Sequence, residues 1–219
     1  MLLTPRHSPG CSLYLITPLL SAGDADAFAK VFAEVVEAAA IACTLVRLAP
    51  LTQTDAKAVV APVLRAAVAA DCALLIENDG RLAARLGVDG IHVNGVGAEL
   101  DAAVESLKPD RIVGAGFLRT RDEAMTAGEV GADYVMFGEP HRGAPTLEGR
   151  SLAERVGWWA EIFETPCVAY ADTIAAVGAL ANAGADFVAL GEAIWGGPSP
   201  SEAAREAQAL LAGVSAKVR

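Results

Sequence analysis

The stretch that decides the fold is GADFVALGEAIWG, residues 184–196. It starts with a glycine and an aspartate typical of a helix end and a tight turn, continues as the apolar run FVAL, and then places a carboxylate at Glu192. Two earlier stretches, GVDGIHV at 87–93 and GADYVMF at 131–137, share the order of glycine, short apolar residue, aspartate and apolar run. We interpret all three as repeated turns from a helix into a buried strand, with structural aspartates that do not bind ligand.

The same alternation extends along the whole chain, because short apolar runs are separated by alanine-rich segments with helical spacing of their apolar residues. Strict alternation of this kind predicts an α/β fold, a single (β/α)8 TIM barrel formed by residues 1–219, with residues 1–10 as a loose N-terminal extension. The eight predicted strands are 12–16, 43–48, 73–77, 90–93, 111–115, 134–137, 167–170 and 187–190.

Composition restricts the class of partner. The formal net charge of -10 and the pI near 4.7 disfavour nucleic acid and anionic membrane surfaces, so a small-molecule ligand is expected. The apolar runs are well short of the ~18 residues that a membrane span requires, and no export signal is visible. The four cysteines form no C-x-x-C pair, which indicates reduced, structural thiols and a cytoplasmic location.

In such a barrel, ligand-binding side chains project from the carboxyl ends of the strands and from the loops that follow. Polar residues are frequent at these predicted positions, where a plain buried strand end would not need them. They include Arg47, Glu77, Asn78, Asp79, His92, Arg119, Glu139, His141, Arg142, Asp172 and Glu192.

The chain resembles the thiamine-phosphate synthase and thiazole tautomerase family. The resemblance is carried by LYLIT (13–17), LLIENDGRLAARLGVDGIHV (74–93), IVGAGFLRTRDEAMTAGEVGADYVMFG (112–138) and GADFVALGEAIWG. It implies a (β/α)8 barrel and a possible homodimer. The synthases of this family couple a hydroxymethylpyrimidine diphosphate to a thiazole phosphate with Mg2+ and release pyrophosphate. The resemblance therefore implies Mg2+ as cofactor if synthase activity is retained, and otherwise no cofactor.

The family's phosphate and metal residues are only partly present. Of the family's Gln-x-Arg-x-Lys after the second strand, this chain keeps Arg47, while Leu45 and Ala49 occupy the other two positions. Either Asn78 or Asp79 falls at the first metal position, depending on the placement of one gap.

Later strand ends depart further from the family. The family's His-Leu-Gly-Gln-x-Asp keeps His92 but has Gly97 in place of its metal carboxylate, and the sixth loop keeps Pro145 and Thr146 of its Pro-Thr-x-Thr-Lys. Arg119 is the only new polar group where the family has a serine or a catalytic histidine after the fifth strand.

The seventh and eighth strands lead into acidic residues. The family's Gly-Gly and serine, which approach a phosphate, are replaced by Ala171 and Asp172 and by Glu192. Because a carboxylate can take the amide hydrogens that would otherwise hold a phosphate, we interpret Glu192 as filling a phosphate site that has been given up. A solvated helix-cap acid is the alternative interpretation.

Three hypotheses remain open. In the first, the chain is a divergent synthase with Arg47, Arg119 and Arg142 as substitute cations. In the second, it keeps the barrel as a binding or regulatory protein, or acts on a non-phosphorylated ligand. In the third, it has a new acid/base or metal site, made of Glu77, Asp79, His92, Glu139 and His141. The candidate catalytic residues are Arg47, His92, Arg119, His141 and Arg142, the candidate substrate-binding residues are Arg47, Asn78, Thr146, Asp172 and Glu192, and the candidate metal ligand is Asp79.

Overall fold

A computed structural model of the protein describes residues 10–139 and 151–214. The predicted N-terminal extension (1–10), apart from residue 10, and the candidates His141, Arg142 and Thr146 lie outside these residues. Eight parallel strands form a closed barrel in sequence order, with the last strand pairing with the first. The strands are β1 (Ser12–Leu20), β2 (Ile41–Leu48), β3 (Ala73–Glu77), β4 (Gly90–Asn94), β5 (Ile112–Gly116), β6 (Tyr134–Phe137), β7 (Cys167–Ala171) and β8 (Phe187–Leu190). The predicted (β/α)8 barrel is confirmed.

Helices follow the strands and cover the outside of the barrel. Within the described ranges they are α1 (Ala25–Ala38), α2 (Gln53–Ala69), α3 (Gly80–Leu86), α4 (Ala98–Leu107), α5 (Arg121–Val130), α6 (Leu152–Ile162), α7 (Val177–Ala183), α8 (Glu192–Trp195) and α9 (Pro200–Ala212). The sequence predicts eight helices, whereas the four-residue α8 lies between β8 and the long α9. Across the described part of the chain, no helix combines the length and apolar character needed to cross a membrane.

Side chains of alternate strand residues form two separate apolar cores, as period-two alternation requires. One core fills the space between the strands and the surrounding helices, and includes Phe32, Val59 and Trp159. The other fills the barrel interior. The members of this inner core are Tyr14, Ile16, Cys43, Leu45, Leu75, Ile112, Tyr134, Met136, Val168, Tyr170, Phe187 and Ala189.

The three repeated aspartates link neighbouring strands at the amino end of the barrel. One carboxyl oxygen each of Asp89, Asp133 and Asp186 accepts a 2.8 Å hydrogen bond from a backbone N–H of the preceding strand, at Leu74, Val113 and Cys167 respectively. The backbone N–H of each aspartate also donates to the carbonyl of that same residue. A glycine in the left-handed region ends the preceding helix in all three repeats, at residues 87, 131 and 184. The predicted structural role of these turns is confirmed.

Asp133 offers a test of this linkage, because it is buried and its other carboxyl oxygen lies 2.8 Å from Lys108 Nζ. Asp133→Ala removes the acceptor of a buried backbone N–H and the carboxylate partner of Lys108, which keeps only its hydrogen bond to the Gly131 carbonyl. We expect the free energy of unfolding, measured by urea denaturation, to fall by about 2 kcal/mol. Asp122→Asn, an exposed change on α5, is the control and should shift it by less than about 0.5 kcal/mol. Equal stabilities of the two variants would contradict the structural role of the aspartate.

Candidate functional site

A cavity of about 190 Å³ opens at the carboxyl ends of the strands, where ligand sites of such barrels lie. Its inner surface is mostly apolar and continues the core of the barrel interior. The lining residues are Ile16, Thr17, Pro18, Leu45, Arg47, Glu77, His92, Phe117, Met136, Glu139, Tyr170, Gly191, Glu192 and Trp195.

A chain of hydrogen bonds leads from the cavity into the barrel interior. His92 Nδ1 lies 2.8 Å from the Tyr134 hydroxyl, which lies 2.9 Å from the Tyr14 hydroxyl. All three side chains are at most 1% exposed. Burial lowers the pKa of His92 to about 3, and raises the pKa of both tyrosines well above the ordinary value, so the whole chain is neutral at physiological pH.

Two glycines of β5 create the space for this arrangement. A Cβ atom on Gly114 would lie 2.0 Å from the Tyr134 ring, and one on Gly116 would lie 2.1 Å from Glu139 Oε1 and 2.3 Å from His92 Nε2. The two glycines are two residues apart on one strand, so they lie on the same face of the sheet. This face is the barrel interior, because Tyr134 beside Gly114 belongs to the inner core. The sequence GAG at 114–116 therefore allows the tyrosine to enter the barrel and allows the imidazole and the carboxyl group to approach each other beside the second glycine.

Glu139 approaches His92 from the end of β6. Its Oε1 lies 3.9 Å from His92 Nε2 and accepts a 2.8 Å hydrogen bond from the backbone N–H of Phe117. Phe117 has a φ of 53°, a left-handed conformation that is uncommon for a bulky residue and costs of order 1–3 kcal/mol. Such outliers often mark functional positions, and this one sets the aromatic side chain in the cavity wall.

Arg47 and Glu77 lie next to each other on another part of the wall. The Arg47 Nε atom is 3.5 Å from Glu77 Oε1, and the arginine side chain is 43% exposed. Burial raises the pKa of Glu77, while the guanidinium group opposes this change. A half-exposed ion pair of this geometry contributes at most about 1 kcal/mol, so the guanidinium group can exchange its carboxylate partner for a ligand anion at small cost.

The Glu192 side chain is exposed at the rim of the cavity, and its carboxyl group approaches Gly196 at the other end of α8. The inner side of this corner is formed by Tyr170, where burial raises the pKa of the phenol and the nearby carboxyl groups of Asp172 and Glu192 raise it further. Trp195 closes the corner because its indole Nε1 donates to the carbonyl of Ile16 over 2.8 Å. The Tyr170 hydroxyl lies beside Gly191, the residue that follows β8.

Several predicted site residues lie outside the cavity lining. Asn78 Oδ1 accepts from the Asn94 backbone N–H, and the Asp79 side chain caps α3 by accepting from the Leu82 N–H over 2.8 Å. Asp172 and Arg119 are exposed at their strand ends. Of the candidates that the structure describes, it brings together Arg47, His92 and Glu192 around the cavity, and the acid/base hypothesis retains Glu77, His92 and Glu139.

The donor set does not form a protein-held Mg2+ site within the described residues. Mg2+ prefers carboxylate oxygens in a near-octahedral shell, but the one carboxyl group at the first metal position, Asp79, is used as a helix cap, and Gly97 stands at the second. Residues 10–139 and 151–214 contain no cluster of three or more acidic, histidine or cysteine side chains suited to a metal ion.

Sequence reasoning did not identify Tyr134 and Tyr14 as parts of the site, because both lie in ordinary apolar strand patterns. The available signal was Gly114 and Gly116 on one face of a strand, since glycines within a strand often mark the close approach of another group. Tyr134 pairs with Gly114 across the β5–β6 register, so these two positions adjoin one another.

The low pKa of His92 makes stability depend on pH. Because the folded state holds the imidazole neutral, while an unfolded histidine titrates near 6.5, the unfolded state binds the extra proton between about pH 6.5 and 3. This contribution to stability is complete above pH 6.5 and is lost as the pH falls below it.

We expect the free energy of unfolding of the wild-type protein to fall by about 1 kcal/mol more than that of His92→Gln between pH 6 and pH 5, as measured by urea denaturation. Glu139 and Tyr134 are the titratable groups that contact the imidazole, and both remain in this variant. As a readout that needs no variant, the NMR shifts of the His92 ring should stay constant from pH 8 to pH 5. Ring titration in that range would contradict the burial argument.

Comparison with known proteins agrees with this architecture. A family model described as thiamine monophosphate synthase matches residues 13–194. A thiamine-phosphate synthase of Rhodospirillum centenum is 39% identical over 198 residues, which covers 89% of this chain and 94% of that protein. A thiamine-phosphate synthase of Hyphomonas neptunium is 35% identical over 216 residues, covering 95% and 97%.

Solved structures show the same fold at lower identity. A thiamine phosphate pyrophosphorylase from Pyrococcus furiosus superposes with a TM-score of 0.78 at 19% identity, covering 92% of this chain and 95% of that one. A 3-hexulose-6-phosphate synthase superposes with a TM-score of 0.67 at 21% identity, covering 91% and 99%. The structural likeness supports the barrel, and the sequence matches cover nearly all of it. The chain belongs to the thiamine monophosphate synthase family and is thiamine-phosphate-synthase-like.

Proposed function

We propose that the protein acts as a divergent thiamine-phosphate synthase, a transferase that couples a hydroxymethylpyrimidine diphosphate to a thiazole phosphate and releases pyrophosphate. The observation that carries this proposal is the match to curated synthases over 89% and 95% of the chain, at 39% and 35% identity. A cavity at the carboxyl ends of the strands, where barrels of this kind bind substrate, also supports it.

Arg47 is the residue proposed to hold a substrate phosphate. It keeps the cation of the family's pattern after β2, lines the cavity, and is half-exposed beside Glu77. Its backbone N–H donates to the Thr17 hydroxyl oxygen over 3.0 Å, which fixes the strand end from which the side chain projects. Arg119, Arg142 and Thr146 remain proposed as further phosphate contacts, although Arg119 is exposed outside the cavity lining and the other two lie outside the described residues.

A second candidate function is supported by the charges of the cavity. Among the residues that the structure describes, its lining has three carboxyl groups, Glu77, Glu139 and Glu192, and one guanidinium group, Arg47. Contact between like charges at about 4 Å costs on the order of 4 kcal/mol at an effective dielectric constant near 20, so a diphosphate is disfavoured near these groups. The second candidate is a protein that keeps the barrel as a binding or regulatory module, or acts on a non-phosphorylated ligand.

Calorimetric titration distinguishes the two candidates. The purified protein is titrated with thiazole phosphate, and with hydroxymethylpyrimidine diphosphate in the presence and absence of Mg2+, and the mixture is then assayed for thiamine phosphate. Binding of both ligands with product formation is expected for the synthase. No heat with either ligand, together with no product, would overturn the synthase proposal and favour the second candidate.

Substitution of Arg47 tests its role in anion binding. We expect Arg47→Gln to raise the Kd of the diphosphate by about tenfold or more, since a charged hydrogen bond is worth about 1.5–3 kcal/mol. Arg65→Gln, which removes the same charge from an exposed position of α2, is the matched control and should leave the Kd unchanged. An equal effect of both substitutions would mean that Arg47 acts only through the net charge of the protein.

A further inference from the structure

The inner end of the cavity contains a buried polar atom that lacks a partner. His92 Nε2 has no hydrogen bond within the described residues, although the side chain is only 1% exposed. The other ring nitrogen is bonded to Tyr134, so the ring orientation is fixed. A buried nitrogen that stays unpaired costs about 1–3 kcal/mol, and such a group in a cavity indicates a partner that belongs to a ligand or to solvent.

The neighbouring carboxyl group of Glu139 determines which ring nitrogen of His92 carries the hydrogen. Glu139 Oε1 faces His92 Nε2 at 3.9 Å and is itself an acceptor for the Phe117 N–H. A lone pair on Nε2 would repel this oxygen, whereas an N–H is attracted to it. The Tyr134 hydroxyl then donates to Nδ1 and receives the hydrogen of Tyr14. At this end of the cavity, His92 Nε2 is therefore a donor and Glu139 Oε1 an acceptor.

One oxygen atom can bond to both groups at once. Two atoms 3.9 Å apart can each lie about 2.8 Å from a third atom, which is the ordinary hydrogen-bond distance. That third atom must accept from an N–H and donate to a carboxyl oxygen. A hydroxyl group does both, whereas an ionised phosphate oxygen only accepts and would face the carboxyl group without a hydrogen.

The rest of the cavity suits a small ring. Phe117, Leu45 and Met136 are apolar or aromatic members of its lining. Its volume of about 190 Å³ is similar to that of an engineered apolar cavity of about 150 Å³ that binds benzene.

We propose that His92 Nε2 and Glu139 Oε1 together form a subsite for the hydroxyl group of a small, uncharged aromatic alcohol. Gly116 allows the two groups to face each other, since a Cβ atom at this position would lie within 2.3 Å of both and force them to move. This inference goes beyond the proposed synthase function and does not depend on it, because the subsite recognises an alcohol that carries no phosphate.

The test compares two probes that differ by one oxygen atom, 3-(hydroxymethyl)pyridine and 3-methylpyridine, at pH 8. Binding to the full chain is followed by NMR titration. We expect the wild-type protein to bind the alcohol about tenfold more tightly than the methyl compound. Equal affinities, or binding of neither probe, would overturn the proposal. Equal affinities would mean that water is the partner of His92 Nε2 and Glu139 Oε1.

Gly116→Ala places a methyl group within 2.3 Å of both His92 Nε2 and Glu139 Oε1, so these groups must move, and the preference for the alcohol should be abolished. Gly178→Ala is the matched control, because a Cβ atom at that position in α7 meets nothing within 4 Å, and it should keep the tenfold preference. Glu139→Gln, which keeps the shape but loses the charge, should reduce the preference at least threefold. This variant tests the proposal if circular dichroism shows that Gly116→Ala does not fold. Preservation of the preference in the folded variants would refute the subsite.

Discussion

The structure depends on the pairing of neighbouring parallel strands in a register that closes the sheet, and the aspartates at positions 89, 133 and 186 help to set that register. Each binds the preceding strand through both its carboxyl group and its backbone N–H. A shift by one residue would move every inward-facing side chain to the helical face. The inner polar groups at the carboxyl end therefore meet only because the amino end of the barrel is fixed in this way.

The site then follows from the space that β5 leaves empty. Gly114 and Gly116 face the interior, one beside the ring of Tyr134 and the other between His92 and Glu139. A barrel interior is normally filled by branched side chains, so an empty position must be occupied by an atom from elsewhere. Tyr134 fills the first position and connects the imidazole to the deeper hydroxyl of Tyr14. His92 and Glu139, which both line the cavity, occupy the second position.

Sequence patterns predict the barrel well because alternation of strands and helices is a local property, and all eight predicted strands are present. They also predict which strand ends carry polar residues. They do not predict the direction of each side chain, since Asp79 turns back to cap α3 and Asn78 binds the backbone of the next strand end. The contact between His92 and Tyr134 joins residues 42 positions apart, and depends on a glycine in a third strand. Such a contact requires the register of three strands and is not encoded in any one of them.

The two ends of the cavity differ in the kind of ligand group that they favour. On one wall, Arg47 is half-exposed and paired only loosely with Glu77, so it retains the ability to bind an anion near solvent. At the inner end, Glu139 and the neutral His92 are buried, and desolvation there penalises any further negative charge. An anionic group is therefore favoured only at the rim beside Arg47, and an uncharged polar group only at the inner end. The uncharged alcohol proposed above satisfies the inner end alone, and any anionic group joined to its ring must point away from His92 and Glu139, toward Arg47 and solvent.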